Sequence, residues 1–264
     1  MNVSGKVIVV TGGGAGIGRA TVLELLKQGA RVAAADLNES GLQETAVLAG
    51  AGNALTIHPL NVADREAVLA LPEKVVSTHG TVDGVINVAG IIQPFVHVKD
   101  LEFDVIERVM NVNFWGTVNM VKAFLPYLLD RPEASLVNIA SMGAILPVPG
   151  QTAYGASKAA VRLLSEGLYA ELQGTAVQVT EVFPGAIGTD IKKNSGLGDA
   201  GDDAKAAEAK TVPPEEAARQ IVEAVTKKKF RLHIGNDAKL FDRLSRIIPE
   251  RAIRMIASKM KDVG

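Results

Sequence analysis

Tyr154-Gly155-Ala156-Ser157-Lys158 sets a phenol and an ammonium four residues apart, which on a helix is one face. A free phenol ionises near a pKa of about 10, too high for efficient proton transfer at neutral pH. Positive charge close by favours the phenolate and brings the group toward the working range of a general base, and Lys158 is such a charge. Ser141 follows the apolar run Ser135 to Ile139, at the strand end where open α/β sheets place their sites, so its hydroxyl is placed to hydrogen-bond a substrate oxygen. Each residue also has a structural reading. Standing alone, a YxxxK pair is a helix surface and a serine past a strand is a loop or cap residue.

A second group of residues suits phosphate. The run Thr11-Gly12-Gly13-Gly14-Ala15-Gly16-Ile17-Gly18 stands between a strand candidate and a helix candidate. In that layout glycines let backbone approach a pyrophosphate, and the helix N-terminus faces its charge. The spacing is TGxxxGxG, carried by Thr11, Gly12, Gly16 and Gly18, rather than GxGxxG. A glycine-rich turn without ligand is the alternative, but the position directly after the first strand favours cofactor binding. Asp36 ends the second strand candidate, where a carboxylate accepts hydrogen bonds from an adenosine ribose and repels a 2′-phosphate. That favours NAD over NADP; an Asp there without the upstream turn is a turn or cap residue. For Arg19 a surface role and a phosphate contact stand equal. The ring of oxidised NAD would add positive charge beside Tyr154.

The elements that must position these groups follow from periodicity. Strands are expected at Lys6 to Val10, Arg31 to Ala35, Ala54 to Pro59, Gly84 to Val88, Ser135 to Ile139, Gln178 to Phe183 and Phe230 to Ile234. Helices are expected at Gly16 to Lys27, Glu39 to Ala49, Arg65 to Thr78, Asp104 to Leu129, Ala153 to Leu172 and Pro214 to Thr226. Several strands are apolar on both faces, which suits a doubly wound α/β fold: a seven-stranded parallel sheet with helices on both faces. One domain is expected over 1–264, with a mobile substrate loop at about 190–212 and amphipathic helices at about 237–262.

Composition narrows the chemistry. Hydrophobic residues make up 47% and charged ones 22% of 264 residues, a globular balance with enough apolar surface for a sizeable core. Net charge is -1, so no general attraction to nucleic acid is expected. With no cysteine there is neither a disulfide framework nor a thiolate nucleophile. The four histidines, His58, His79, His97 and His233, show no metal-ligand spacing, so no metal is expected and each reads as structural. The start MNVSGKVIVVTGGG lacks the features of a signal peptide, and no apolar run is long enough to span a bilayer; the expectation is a cytoplasmic protein.

Taken together, the residues resemble the short-chain dehydrogenase/reductase family in its shorter, single-domain branch. The likeness runs from Gly5 to about Asp190, with TGGGAGIG at Thr11, NVAG at Asn87, NVNFWG around Asn113, the serine at 141, YGASK at Tyr154 and PGAIGT at Pro184. The resemblance implies a Rossmann fold and NAD-dependent hydride transfer between the nicotinamide and a secondary alcohol or ketone. It implies that Tyr154 exchanges the proton, Ser141 orients the substrate oxygen, Lys158 lowers the tyrosine pKa and holds the nicotinamide ribose, and Asn113 holds a water linking Lys158 to solvent. Asn111 competes for that last role, disfavoured only by the NxxG spacing. Cofactor contacts implied are Thr11, Gly12, Gly16, Ile17, Gly18, Asp36, Asn61, Val62, Asn87, Ala89, Gly90, Tyr154, Lys158, Pro184, Gly185, Ile187 and Thr189. Two departures stand out: Asn61-Val62 replaces the family's Asp-Val, and NVAG replaces NNAG. Ala15 and Leu37 occupy places where NADP-preferring relatives put a basic residue, in accord with Asp36.

Around the site, Gln93, Phe95, Met142, Ile145, Leu146, Pro149 and Gln151 are candidate pocket residues. Being largely apolar, they suggest a lipophilic steroid-, retinoid- or acyl-like substrate. The C-terminal amphipathic segment is expected to pack on the domain, cover the pocket or join subunits, with membrane-surface contact the lesser reading. The resemblance implies a homodimer or homotetramer through Asp104 to Leu129 and Ala153 to Leu172. Two rivals remain: a sugar-nucleotide epimerase or dehydratase, whose longer relatives carry a C-terminal substrate domain, and an NAD-binding regulatory or structural protein without turnover.

Overall fold

Alternation of side chains along each strand divides the core into two layers. In the computed structural model, which describes residues 1–189, 191–197 and 211–259, the strands are β1 (Val7–Thr11), β2 (Arg31–Asp36), β3 (Leu55–Pro59), β4 (Gly84–Asn87), β5 (Ala134–Ile139), β6 (Val177–Pro184) and β7 (Arg231–Ile234). They form one parallel sheet in the order β3-β2-β1-β4-β5-β6-β7. On one face Ile8, Val10, Val32, Ala34, Ile86, Val137 and Val182 pack under α1 (Gly16–Lys27), α2 (Glu39–Ala49) and α9 (Pro214–Thr226). On the other, Val7, Val9, Ala33, Val85, Leu136 and Val179 pack under α3 (Arg65–Leu69), α4 (Leu71–His79), α6 (Gly116–Leu129) and α7 (Thr152–Glu171). The seven strands and both helical layers match the expected doubly wound fold. With helices on both sides, the central strands have no solvent face, which is why their sequences read as continuous apolar runs.

Local signals set several boundaries. Asn38 caps α2, its Oδ1 accepting the Gly41 N–H at 3.1 Å, and Gly50 ends the helix at φ 54°, in the left-handed region that glycine enters freely. Two helices differ from expectation. Arg65 to Thr78 is two helices meeting at Ala70, because Pro72 in the first turn of α4 supplies no backbone N–H to continue α3. Asp104 to Leu129 is likewise interrupted: α5 (Phe103–Met110) passes through a π turn, Asn111–Trp115, before α6 begins. Such wide turns shift the helix face by a fraction of a turn and cluster at functional sites.

The remaining α-helices among the described residues are α8 (Ile191–Asn194), α10 (Asn236–Ile247) and α11 (Pro249–Lys259). Phe241, Leu244, Ala252 and Ile256 of α10 and α11 close around Leu146, so this amphipathic segment packs on the domain. Most of the loop expected at 190–212, and its mobility with it, lies outside the described residues. What is described there is anchored: Ser195 Oγ donates to Ile191 O at 2.6 Å and accepts the Ile92 N–H at 3.0 Å, and Val212 bridges to Ile187. No helix among the described residues is long and apolar enough to cross a membrane.

Candidate active site

The turn after β1 needs its glycines for space as well as for conformation. Gly12 sits at φ 71°, and a Cβ there would come within 3.0 Å of the Ala89 backbone nitrogen. A Cβ on Gly18 would overlap the Gly12 carbonyl oxygen. Ala15, at the start of α1, offers no side-chain cap, so the first N–H groups of a twelve-residue helix remain free to meet an anion. They open on a cleft of about 320 Å³. Of the expected cofactor residues, Gly12, Gly16, Ile17, Gly18, Asp36, Asn61, Val62, Ala89, Gly90 and Thr189 line this cleft.

Others support it from behind. Thr11 is buried beneath the turn, where its hydroxyl accepts from the Val88 and Ala89 N–H groups at 3.0 and 3.1 Å. It therefore braces β1 against the β4 loop rather than lining the cleft. Asn87 is also buried, donating to Asn138 Oδ1 at 2.8 Å, and Asn138 in turn donates to Ser165 Oγ at 2.9 Å. Pro184, Gly185 and Ile187 lie at the end of β6 and do not line the cleft. The Gly185 N–H donates to Ile234 O, and the Ile187 carbonyl accepts from Thr189 N–H. Asn61 turns its amide oxygen onto the Ala63 N–H at 3.0 Å.

Asp36 is held by backbone, its two oxygens accepting from Gly14 N–H and Asn38 N–H, each at 2.9 Å. The open question over Arg19 is resolved by its contacts. Its guanidinium donates to Gly14 O at 2.5 Å, to Thr45 Oγ1 at 3.1 Å and to Glu44 Oε2 at 2.6 Å, tying the glycine turn to α2.

Tyr154 and Lys158 occupy successive turns at the start of α7, beside the C-terminal edge of β5. Lys158 is buried and donates to Ile139 O, the last residue of β5, at 2.9 Å. Ser141, two residues on, is hydrogen-bonded to Tyr154 and accepts the Gly143 N–H at 3.0 Å. Asn113 is fully buried where the π turn aims it inward, whereas Asn111 is exposed. Its Oδ1 accepts the Ile91 N–H at 2.8 Å, and its Nδ2 donates to Ile91 O at 3.0 Å and Ser157 Oγ at 2.9 Å. Ser157 then donates to Tyr154 O at 2.7 Å. Gly90 links this group to the cleft it lines: a Cβ there would lie 3.1 Å from Lys158 Nζ and 3.2 Å from Asn113 Oδ1. The four expected catalytic residues are thus brought together.

Some residues do something other than the sequence suggested. Gln93 and Gln151, read as pocket lining, are buried amides that fasten the start of α7. Gln93 Oε1 accepts the Tyr154 N–H at 3.0 Å, its Nε2 donates to Gly150 O at 3.0 Å, and Gln151 Nε2 donates to Gln93 O at 2.8 Å. Leu146 belongs to the small core under α10 and α11. Ser157, Asn138 and Ser165 were missed, because nothing in a lone serine or asparagine marks a partner distant in the chain.

Burial acts on both titratable groups of the site. Burial pushes the Tyr154 phenol above its ordinary value, and the hydrogen bond with Ser141 opposes this only in part. Positive charge placed beside the phenol would oppose this upward shift. Burial lowers the Lys158 ammonium from 10.5 to about 8. Its folded-state pKa lies below the unfolded one, so the charge is a cost, about 3 kcal/mol, that is fully present below about pH 8 and relieved as pH rises from there toward the unfolded value. Lys158→Met is therefore expected to be more stable than the parent at neutral pH, by about 1–2 kcal/mol once the lost bond to Ile139 is counted. Urea unfolding at about pH 7 and about pH 9.5 checks this, the gap narrowing at the higher pH. A variant that is less stable at both would mean that the hydrogen bond outweighs desolvation.

Comparison with known proteins accords with this geometry. Residues 6–199 match the family described as short chain dehydrogenase. The oxidoreductase SadH of Mycobacterium tuberculosis is 42% identical over 262 residues, covering 96% of this chain and 95% of that protein. A 3-oxoacyl-[acyl-carrier-protein] reductase, FabG of Thermotoga maritima, is 36% identical over 192 residues, covering 72% of this chain and 77% of its own. Among solved structures, a short chain dehydrogenase/reductase from Burkholderia phymatum in complex with NAD superposes with a TM-score of 0.84 at 25% identity, covering 95% of this chain and 96% of the other. With a family pattern over most of its length and a relative alike almost end to end, the chain belongs to the short-chain dehydrogenase family of oxidoreductases.

Proposed function

We propose that the protein is an NAD-dependent dehydrogenase or reductase acting on a lipophilic secondary alcohol or its ketone. The observation that carries this is the meeting of Ser141, Tyr154, Lys158 and Asn113 at the strand edge beside a glycine cradle that a single Cβ would fill. When bound, the nicotinamide supplies the hydride chemistry and, oxidised, a positive charge. Gly12, Gly16 and Gly18 would admit its pyrophosphate, Asp36 the adenosine ribose, and Thr189 the nicotinamide end. Ser141 and Tyr154 grip the substrate oxygen. In oxidation Tyr154 takes the hydroxyl proton at its phenolic oxygen; in reduction it returns that proton to the carbonyl oxygen. Lys158 holds positive charge close to the phenol, and Asn113 locks the Ile91 loop to α7 so that these groups keep their places.

Apolar side chains beyond Ser141, among them Met142, Ile145, Pro149 and Phe95, support a lipophilic substrate. The exposed apolar residues Phe103, Trp115, Leu163 and Tyr169 on α5, the π turn and α7 support a homodimer or homotetramer. The lack of cysteine suits a cytoplasmic setting. Nicotinamide absorbance, followed with NAD and with NADP over steroid, retinoid, acyl and short secondary alcohols, tests the reading. Turnover with NAD on the lipophilic members is expected; NAD binding without turnover on any of them would favour a binding protein instead.

Cofactor choice has its own test. The Asp36 charge faces the ribose side of the cleft, the neighbouring Leu37 and Ala15 carry none, and Arg19 is already committed. Asp36→Asn keeps one of the two acceptors for the backbone, loses the other, and removes the repulsion of a 2′-phosphate. The ratio of kcat/KM for NAD over NADP is expected to fall about ten- to a hundredfold. An unchanged ratio would remove Asp36 from cofactor selection.

A further inference from the structure

Helices α10 and α11 carry two apolar sets, and packing on the domain accounts for one of them. Phe241, Leu244, Ala252 and Ile256 turn inward onto Leu146. Leu240, Ile247, Ile248 and Ile253 turn outward and are 54%, 77%, 37% and 45% exposed. Leu240 and Ile247 recur at helical spacing with Arg243 between them, one face of α10. Arg246, Arg251 and Arg254 are exposed around the same aliphatic side chains. Among the described side chains of the pair, five cations stand against two carboxylates, Asp242 and Glu250. Asp242 pairs with Arg246 at 3.0 Å and Glu250 with Arg254 at 2.6 Å, so the positive excess of the pair is carried by Lys239, Arg243 and Arg251. The whole chain has a net charge of -1, so this is a local excess of positive charge set among exposed aliphatics.

We propose that the outer face of α10 and α11 docks on an anionic lipid surface, the aliphatic side chains entering the boundary between headgroups and acyl chains and Lys239, Arg243 and Arg251 meeting lipid phosphates. Charge selects this occupant over a second copy of the chain, because two such faces would bring like charges together. Amphipathic helices with cations flanking an aliphatic face bind membranes in this way. The inner face of the pair covers Leu146, in the loop that follows Ser141. If the catalytic reading also holds, docking sets the substrate entrance near the bilayer; lipid binding itself does not depend on that reading.

Sedimentation of the full chain with vesicles tests the proposal, comparing phosphatidylcholine alone with phosphatidylcholine and phosphatidylglycerol mixed. Binding is expected to the mixed vesicles, to weaken with salt, and to be much lower on phosphatidylcholine. Ile247→Asp with Ile253→Asp is expected to reduce it at least about tenfold, and Arg243→Gln and Arg251→Gln about fivefold each. These positions are exposed, so the urea midpoint and nicotinamide binding should stay as in the parent. The proposal is overturned if mixed vesicles carry no protein down, if all variants bind as the parent does, or if light scattering shows the variants splitting an oligomer, which would make the face a contact between copies.

Discussion

Tyr154→Phe is expected to lower kcat/KM about a thousandfold while nicotinamide affinity changes less than about threefold. The substitution keeps the ring, and with it the packing at the start of α7, and removes only the hydroxyl that is hydrogen-bonded to Ser141. No other titratable side chain described at this point of the site is placed to exchange the substrate proton: Lys158 is buried with its ammonium on Ile139 O, and the Asn113 amide is taken up by Ile91 and Ser157. Stopped-flow or steady-state absorbance gives the rate and quenching of protein fluorescence gives the affinity. Activity retained within about tenfold would remove Tyr154 from the proton path and move the search to a solvent-derived acid.

Gly18→Ala is expected to have the other large effect, on binding. Gly18 lies inside the first turn of α1, and its added methyl carbon would stand 1.9 Å from the Gly12 carbonyl oxygen. A backbone oxygen cannot rotate aside as a side chain can. The glycine turn must therefore move, at a cost of about 1–3 kcal/mol in stability, and the N–H groups it presents move with it. Nicotinamide affinity is expected to fall at least about a hundredfold, because preorganised donors displaced by an ångström no longer meet the phosphates. Gly167→Ala is the control. Gly167 is exposed on α7 with nothing near a Cβ, so alanine there is expected to stabilise the helix by about 0.5–1 kcal/mol and leave binding alone. Calorimetric titration and urea unfolding of the two variants separate the effects, and near-parental affinity for Gly18→Ala would show that the turn has slack that its packing does not display.

Much of the fold was legible along the chain because its signals are local. The extents of α1, α2 and α9 agree with expectation, for each is set by neighbours in sequence: a glycine turn before α1, the Asn38 cap and Gly50 for α2, and Pro214 opening α9. The strands were equally visible, since sheets covered on both faces require runs of apolar residues whatever lies across from them. The residue types of the site could be named for the same reason: TGGGAGIG and YGASK each hold their chemistry within one or two turns of chain.

What only the tertiary structure decided involves partners far apart in sequence. Gln93 and Tyr154 are 61 residues apart, and no periodicity tells that a buried amide will accept the Tyr154 N–H instead of facing substrate. The NxxG spacing preferred Asn113 to Asn111, but the burial of one and the exposure of the other, and the partners Ile91 and Ser157 that Asn113 meets, are set by packing between α5, α6 and α7. The hydrogen bonds by which Thr11 and Asn87 brace the turn and the strand end exist only once the strands around them are in register. The Tyr154 phenol sits above its ordinary pKa because desolvation is a property of the whole surrounding shell, and it outweighs the hydrogen bond with Ser141.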